Sequence, residues 1–181
     1  MMKIPNPINF KKWVEENRHL LKPPVGNQVI YKDAETIVMV VGGPNNRKDF
    51  HYNEGEEFFF QLEGDMQLPI IENGVKRIVD IKEGEIFLLP PKTPHSPQRK
   101  ANTLGLVIER KRAENEIDSC MWFCENCSHL LYKADFYLKD IVTQLPELMQ
   151  SFYDDIKLRT CTECGTVMEP PTLNQTQNET R

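Results

Sequence analysis

The chain has 181 residues, 39% of them hydrophobic, and a formal net charge of −5. That is apolar material for one ordinary domain plus a small appendage, and the acidic balance argues against nucleic acid as a partner. No apolar run nears the ~18 residues of a membrane span, and the opening MMKIPNPINFKKW lacks the apolar block of a secretory leader, so a cytoplasmic address is expected.

NPINFKKWVEENRHLLKPP predicts a helix: Phe10, Trp13, Val14 and Leu20 or Leu21 recur at helical spacing, and Pro23-Pro24 stop it. From residue 28 to about 112 short β-rich runs follow one another: NQVIYKD, ETIVMVV, EFFFQL, DMQLPIIE, VKRIVDI, EIFLLP and TLGLVIER. GGPNN, EGD, ENG and KEG break the series, a rhythm that predicts an antiparallel sandwich or barrel. KRAENEIDS then reads as a charged, loop-like linker. Beyond it, two Cys-x-x-Cys pairs flank LKDIVTQLPELMQSFYDDIKL, whose apolar positions fit a helix despite Pro146. The expected division is a barrel with its N-terminal helix over 1–115, a cysteine-rich metal-binding region packed on the barrel over 116–170, and a polar, disordered tail over 171–181.

Two clusters carry chemistry. In the first, Arg47, Asp49, His51, Asn53, Glu57 and Phe59 share odd parity, so a strand would point them one way and Phe58, Phe60 and Leu62 the other. An ionisable stripe facing the inside of a barrel is costly unless something binds it, and a metal would compensate. EGEIFLLPPKTPHSPQR adds a proline-stiffened turn carrying His95, with Arg99 four residues on. Two imidazoles and one carboxylate suit ferrous iron with open coordination positions, and also zinc.

These segments resemble the paired motifs of the cupin superfamily. His51, Asn53, Glu57 and Gly64 take the positions of the first motif, and Gly84, Pro90 and His95 those of the second. Asn53 stands in place of a common ligand histidine, Lys92 in place of a glycine, and Arg99 where asparagine is usual. The resemblance implies an all-β core: a cupin jelly-roll (double-stranded β-helix) barrel with an N-terminal helix and a helical, rubredoxin-like C-terminal appendage. VGGPNNRKDFHYNEGEEFFFQLEG, LLPPKTPHSPQR, GLVIER and INFKKWVEENRHLLKPPVGNQ together resemble the 3-hydroxyanthranilate 3,4-dioxygenase family over about residues 7–168.

Membership would imply opening of the 3-hydroxyanthranilate ring with O₂, on Fe²⁺ held by His51, Glu57 and His95. The product, 2-amino-3-carboxymuconate semialdehyde, closes without enzyme to quinolinate, a precursor of NAD. The family's substrate contacts fall on Glu57, Arg99 and Glu109, with Arg99 gripping the substrate carboxylate and Glu109 orienting Arg99 or touching the substrate. Arg47 is implied beside O₂, Asp49 steadies it or moves a proton, and Phe59 and Asn27 line the pocket. A homodimer is implied as well. The competing readings are a zinc or manganese cupin isomerase acting on sugar phosphates, a small-molecule-binding cupin, and an electron carrier built on the cysteines.

The second cluster is CENC and CTEC. Cys124, Cys127, Cys161 and Cys164 have the spacing of a tetrathiolate site for iron or zinc, since each turn brings two sulfurs to one ion. In a cytosolic chain such pairs are ligands more often than disulfides. The family resemblance implies a structural, rubredoxin-like iron. Cys120 is left over as a buried or idle thiol, His129 is superfluous beside four sulfurs, and His19 belongs on the surface.

Overall fold

A computed structural model describes residues 4–22, 26–32, 34–45, 47–138 and 144–171. Pro23-Pro24 and the expected tail beyond 171 lie outside the described residues, as does 139–143 of the second expected helix.

The N-terminal helix, α1 (Phe10–Asn17), begins where the Asn9 side chain accepts from Lys12 N at 3.0 Å, which satisfies one of the unpaired amides of the first turn. Its apolar stripe packs on the outer face of the barrel, where Val14 and Leu21 meet Val40 and Leu104. The strands follow: β1 (Asn27–Val29), β2 (Thr36–Gly42), β3 (Phe50–Tyr52), β4 (Glu57–Glu63), β5 (Met66–Glu72), β6 (Val75–Ile81), β7 (Ile86–Leu89), β8 (Gln98–Arg99), β9 (Leu104–Arg110), β10 (Asp118–Phe123) and β11 (Leu130–Phe136). One antiparallel sheet runs β1-β2-β9-β4-β7; two three-stranded groups, β11-β10-β3 and β6-β5-β8, complete the structure. Between them lies a core of Met39, Phe59, Met66, Leu68, Ile70, Ile81, Leu89 and Val107. This is the expected all-β cupin barrel with helices at both ends.

The seven β-rich runs each hold a strand. The region after 115 differs from its reading as linker and helix, because β10 and β11 form there and β10 pairs along β3 with Cys120 opposite His51. Its helix is α2 (Gln144–Asp154), followed by the short α3 (Ile156–Arg159). Pro146 is tolerated because it sits in the first turn, where its missing amide has no intrahelical partner to lose. Phe152 of α2 stacks on Trp122 of β10 with ring centroids 4.3 Å apart, the centre of a second core that includes Leu145, Ala134 and Met168.

Candidate metal centre

Backbone pairing sets the first two imidazoles. His51 N donates to His95 O at 2.8 Å and His95 N to His51 O at 2.9 Å, so the proline-rich turn is stitched to β3 at these two residues. Ile71 N, on β5, holds the same turn through Pro94 O at 2.9 Å. Glu57 arrives from the other sheet, on β4, directly opposite Glu109 of β9. Its Oε1 lies 3.7 Å from His51 Nδ1 and 3.2 Å from His95 Nε2. One donor atom from each of the three residues falls within 4.8 Å of the other two, and all three side chains are buried.

The remaining imidazole nitrogens are already committed. His51 Nε2 lies 2.7 Å from Asp118 Oδ2, and His95 Nδ1 lies 2.9 Å from Thr93 O. A carboxylate and a carbonyl only accept, so these nitrogens carry protons, and His51 Nδ1 and His95 Nε2, the nitrogens left for a metal or a second proton, face Glu57. Histidines that ligate metals are fixed by such outer hydrogen bonds. Burial disfavours a proton on His51, but the Asp118 and Glu57 carboxylates outweigh it and raise the imidazole to about 9. A pocket with that appetite for a proton has the same appetite for a cation. Burial opposes ionisation of Glu57 too, yet the imidazoles of His95 and His51 hold its carboxyl well below the usual range. Two lone pairs and a carboxylate converging from one side fit a metal ion with open positions opposite.

Asn53, standing where many cupins have a histidine, braces a ligand. Its Nδ2 donates to Glu57 Oε1 at 2.5 Å, and its Oδ1 accepts from Gly55 N at 3.1 Å. Lys92, in place of the motif glycine, takes φ +60 and keeps the turn, with Lys92 N donating to Asn53 O at 2.9 Å.

Arg47 pairs with the fully buried Asp49, and despite burial that carboxylate raises the guanidinium further above its ordinary range. Arg99 points into the barrel at 3% exposure; among the described residues its guanidinium hydrogen-bonds Gln61 Oε1 at 3.0 Å and its Nε finds no partner. Burial without a counter-charge lowers it to about 10. Glu109 does not orient Arg99: it pairs with Arg112 at 2.5 Å, and Asn53 Nδ2 is 3.5 Å away. Burial and the neighbouring Glu57 charge raise its carboxyl, against the pull of Arg112. Phe59 sits edge-on to His95, with centroids 6.3 Å apart, and Asn27 is half-buried at the start of β1.

Three participants escaped the sequence reading. Arg112 and Asp118 are buried, although both fall in the charged run read as a linker. Gln61 continues the odd-numbered stripe of β4, a parity signal that was available.

The four cysteines also converge, with Sγ separations of 3.6 Å for Cys124–Cys164 and 3.5 Å for Cys127–Cys161, and one sulfur from each within 4.8 Å of the rest. The two turns are built alike. Ser128 N returns to Cys124 O and Gly165 N to Cys161 O, each at 2.9 Å, and both residues have positive φ. Hydrogen bonds from Thr166 lower Cys164 to about 5, whereas Cys127 is raised to about 12 among neighbouring sulfurs, for adjacent thiolates need a cation to coexist. Cys120 is fully buried beside Asp49 at 3.8 Å, His129 lies 3.4 Å from Thr162 Oγ1, and His19 is exposed.

Barrel and cluster together define a metal-dependent cupin. The chain belongs to the 3-hydroxyanthranilic acid dioxygenase family, whose model matches residues 1–153. A 3-hydroxyanthranilate 3,4-dioxygenase of Xanthomonas euvesicatoria is 56% identical over 170 residues, which is 94% of this chain and 96% of that protein. The enzyme of the same name from Ruegeria pomeroyi is 52% identical over 168 residues, 91% of this chain and 93% of that one. Among solved structures, a cupin-2 domain protein from Shewanella frigidimarina aligns with a TM-score of 0.47 at 19% identity, over 57% of this chain and 94% of its own.

Proposed function

We propose that this chain opens the ring of 3-hydroxyanthranilate with O₂, yielding 2-amino-3-carboxymuconate semialdehyde, and that His51, Glu57 and His95 hold the Fe²⁺ it uses. The observation that carries this reading is the buried three-donor cluster, in a barrel that also buries the Arg99 guanidinium with no ion pair to it among the described residues. A ferrous ion held by these three residues would supply Lewis acidity toward the phenol and amine of the substrate and one-electron chemistry toward O₂. Both oxygen atoms stay in the product, so no outside reductant is needed.

The protein groups do the rest. Arg99 supplies a planar pair of N–H donors to the substrate carboxylate, and the match is worth most in a buried site where the cation lacks a partner. Glu109, its proton affinity raised by burial and by Glu57, accepts the proton released when the phenol binds. Arg47, held by Asp49, places positive charge where reduced oxygen accumulates negative charge. Phe59 closes the wall beside His95 and excludes water.

The sugar-phosphate isomerase reading lacks cations. Lys92 is engaged by Glu54 at 3.0 Å and Arg47 by Asp49, which leaves Arg99 alone to meet a dianion. An electron carrier has no use for the histidines. We also propose iron in the Cys124–Cys127–Cys161–Cys164 site with a structural role, a cytoplasmic address that keeps these thiols reduced, and a homodimer. No helix among the described residues is long and apolar enough to cross a membrane.

Protein loaded anaerobically with Fe²⁺ and then given 3-hydroxyanthranilate in air should take up one O₂ per ring opened and form the absorbing semialdehyde. Glu57→Ala should abolish uptake and lose the barrel metal while retaining the cysteine-bound one. Absence of uptake by the loaded wild type, with turnover of a sugar phosphate on zinc or manganese, would transfer the assignment to the isomerase.

A further inference from the structure

Arg112 and Asp118 have no place in the chemistry above, yet they are among the most completely buried charges in the molecule. Asp118 is 0% exposed, and the Arg112 side chain 6%. Arg112 donates from Nε to Asp118 Oδ1 at 2.8 Å and from one terminal nitrogen to Asp118 Oδ2 at 2.8 Å. Its other terminal nitrogen reaches Glu109 Oε2 at 2.5 Å and the Arg110 carbonyl at 3.1 Å. Asp118 Oδ2 in turn accepts from His51 Nε2 at 2.7 Å. From Glu109 the path continues through Asn53 Nδ2 to Glu57 Oε1. The polar groups therefore form a closed ring that starts at one metal ligand and returns at another.

We propose that Asp118, locked by Arg112, is the positioning residue that fixes the His51 tautomer and ring plane, and that Arg112 thereby couples Glu109 to the metal ligand His51. The inference rests on the metal-site reading above.

Two physical arguments carry it. Desolvated charges persist only when they are paired and their hydrogen bonds satisfied, and removing one partner leaves the others buried and uncompensated. The formal charges of Glu57, Glu109 and Asp118 balance those of Arg112 and a divalent ion. An arginine whose only task was to tie two strands would not need a site beside three acids that a metal also neutralises. Geometry makes the second argument. Arg112 occupies both oxygens of Asp118 from the far side, so the carboxylate cannot rotate, and the lone pair it offers His51 is fixed in direction. His51 Nε2 must then be the protonated nitrogen, and Nδ1 the ligand. Without Asp118, no acceptor selects between the tautomers, and the form with Nδ1 protonated cannot bind metal. Outer hydrogen-bond partners of this kind typically contribute about 10–100-fold in metal affinity.

The test uses full-length protein carrying metal in its cysteine site, titrated with Co²⁺ at the barrel site against a competing chelator. Asp118→Asn and Arg112→Lys keep volume and are compared with the wild type and with the double variant. Asp118→Asn puts an amide donor against either the Arg112 fork or His51, and should weaken Co²⁺ binding by about 10–100-fold. Arg112→Lys, which cannot hold Asp118 and Glu109 together, should weaken it less. The double variant should be no worse than Asp118→Asn alone, because Arg112 acts through Asp118. Nitrogen NMR of protein carrying metal only in its cysteine site should find neutral His51 protonated at Nε2 in the wild type and a mixture of tautomers in Asp118→Asn. Wild-type affinity in both single variants, strictly additive losses, or loss of the cysteine-bound metal along with the barrel metal would each overturn the proposal. A wild type that takes up no Co²⁺ at the barrel would instead bring down the metal-site reading on which it stands.

Discussion

Arg99 enters the barrel over a strand position where a side chain would meet it. A Cβ at Gly105 would fall 2.5 and 2.7 Å from the two terminal nitrogens of Arg99 and 2.9 Å from Gln61 Oε1. These are the ends of flexible side chains, so Gly105→Ala should move the guanidinium and leave the backbone in place. The expected result is a KM for 3-hydroxyanthranilate raised about 10–100-fold, the equivalent of one charge-assisted hydrogen bond, with kcat and barrel-metal affinity little changed. Steady-state kinetics with a thermal melt checks this, and an unchanged KM would remove Arg99 from the substrate carboxylate. At this scale the sequence was informative where function repeats a spacing. His51, Glu57, His95 and the four cysteines stand at motif intervals, and the structure brings each set together. It was silent on Arg112 and Asp118, because a charged residue in a charged run has the same local signature whether it is solvated or desolvated. Only the pairing of Ser119–Met121 with Phe50–Tyr52, a contact between distant segments, draws them inside.

Individual elements were legible in proportion to how much of their environment is local. The turn ENG between β5 and β6 adopts positive φ at Asn73 and Gly74, the geometry that lets two strands pair tightly, so the residues alone announce the hairpin. β10 is buried on nearly every residue, lying between β3 and β11 and against α2, and therefore lacks the alternation by which a half-exposed strand is recognised. Helix α1 was visible from its apolar stripe, but its docking depends on a remote partner. Arg18, just beyond its end, forms a fork to Glu63 of β4 at 2.7 and 2.9 Å. The Arg18 hydrogen bond lowers the Glu63 carboxyl below its ordinary 4.5, so the pair stabilises the fold above that value and its contribution disappears as pH falls through the lowered one. Both groups are partly exposed, which limits the contribution to about 0.5–1 kcal/mol after screening. Arg18→Ala should show that deficit in denaturant unfolding at neutral pH, shrinking in high salt and absent in acid well below the glutamate range. A deficit that persisted in acid would mean that Arg18 acts through packing of its stem instead.

β10 carries Asp118 beside His51 at one end and leads into Cys124 of the cysteine cluster at the other. The core around Trp122 and Phe152 is a separate cluster from the barrel core, and the four cysteines gather at the end of β10 away from the histidines. An ion bound by the four cysteines would anchor the return of the chain after α3. The outer surface carries a different kind of information. β7 is the last strand of the five-stranded sheet, so one row of its amides and carbonyls has no strand neighbour, and Ile86 and Leu88 on it are 66% and 53% exposed. Val75 and Ile78 of β6 are exposed as well, at 67% and 51%. An edge of this kind is one that monomers usually blunt with charge, and it pairs with its own copy most simply across a two-fold axis. A stable homodimer needs about 800 Å² buried per partner, more than one short strand provides, so the β6 residues must join the interface. Leu88→Lys puts two like charges close to that axis. The wild type should sediment as two chains and the variant as one, with O₂ uptake per chain retained because His51, Glu57 and His95 all come from one chain. A wild type that sediments as a single chain at micromolar concentration would discard the dimer and leave this edge to another partner.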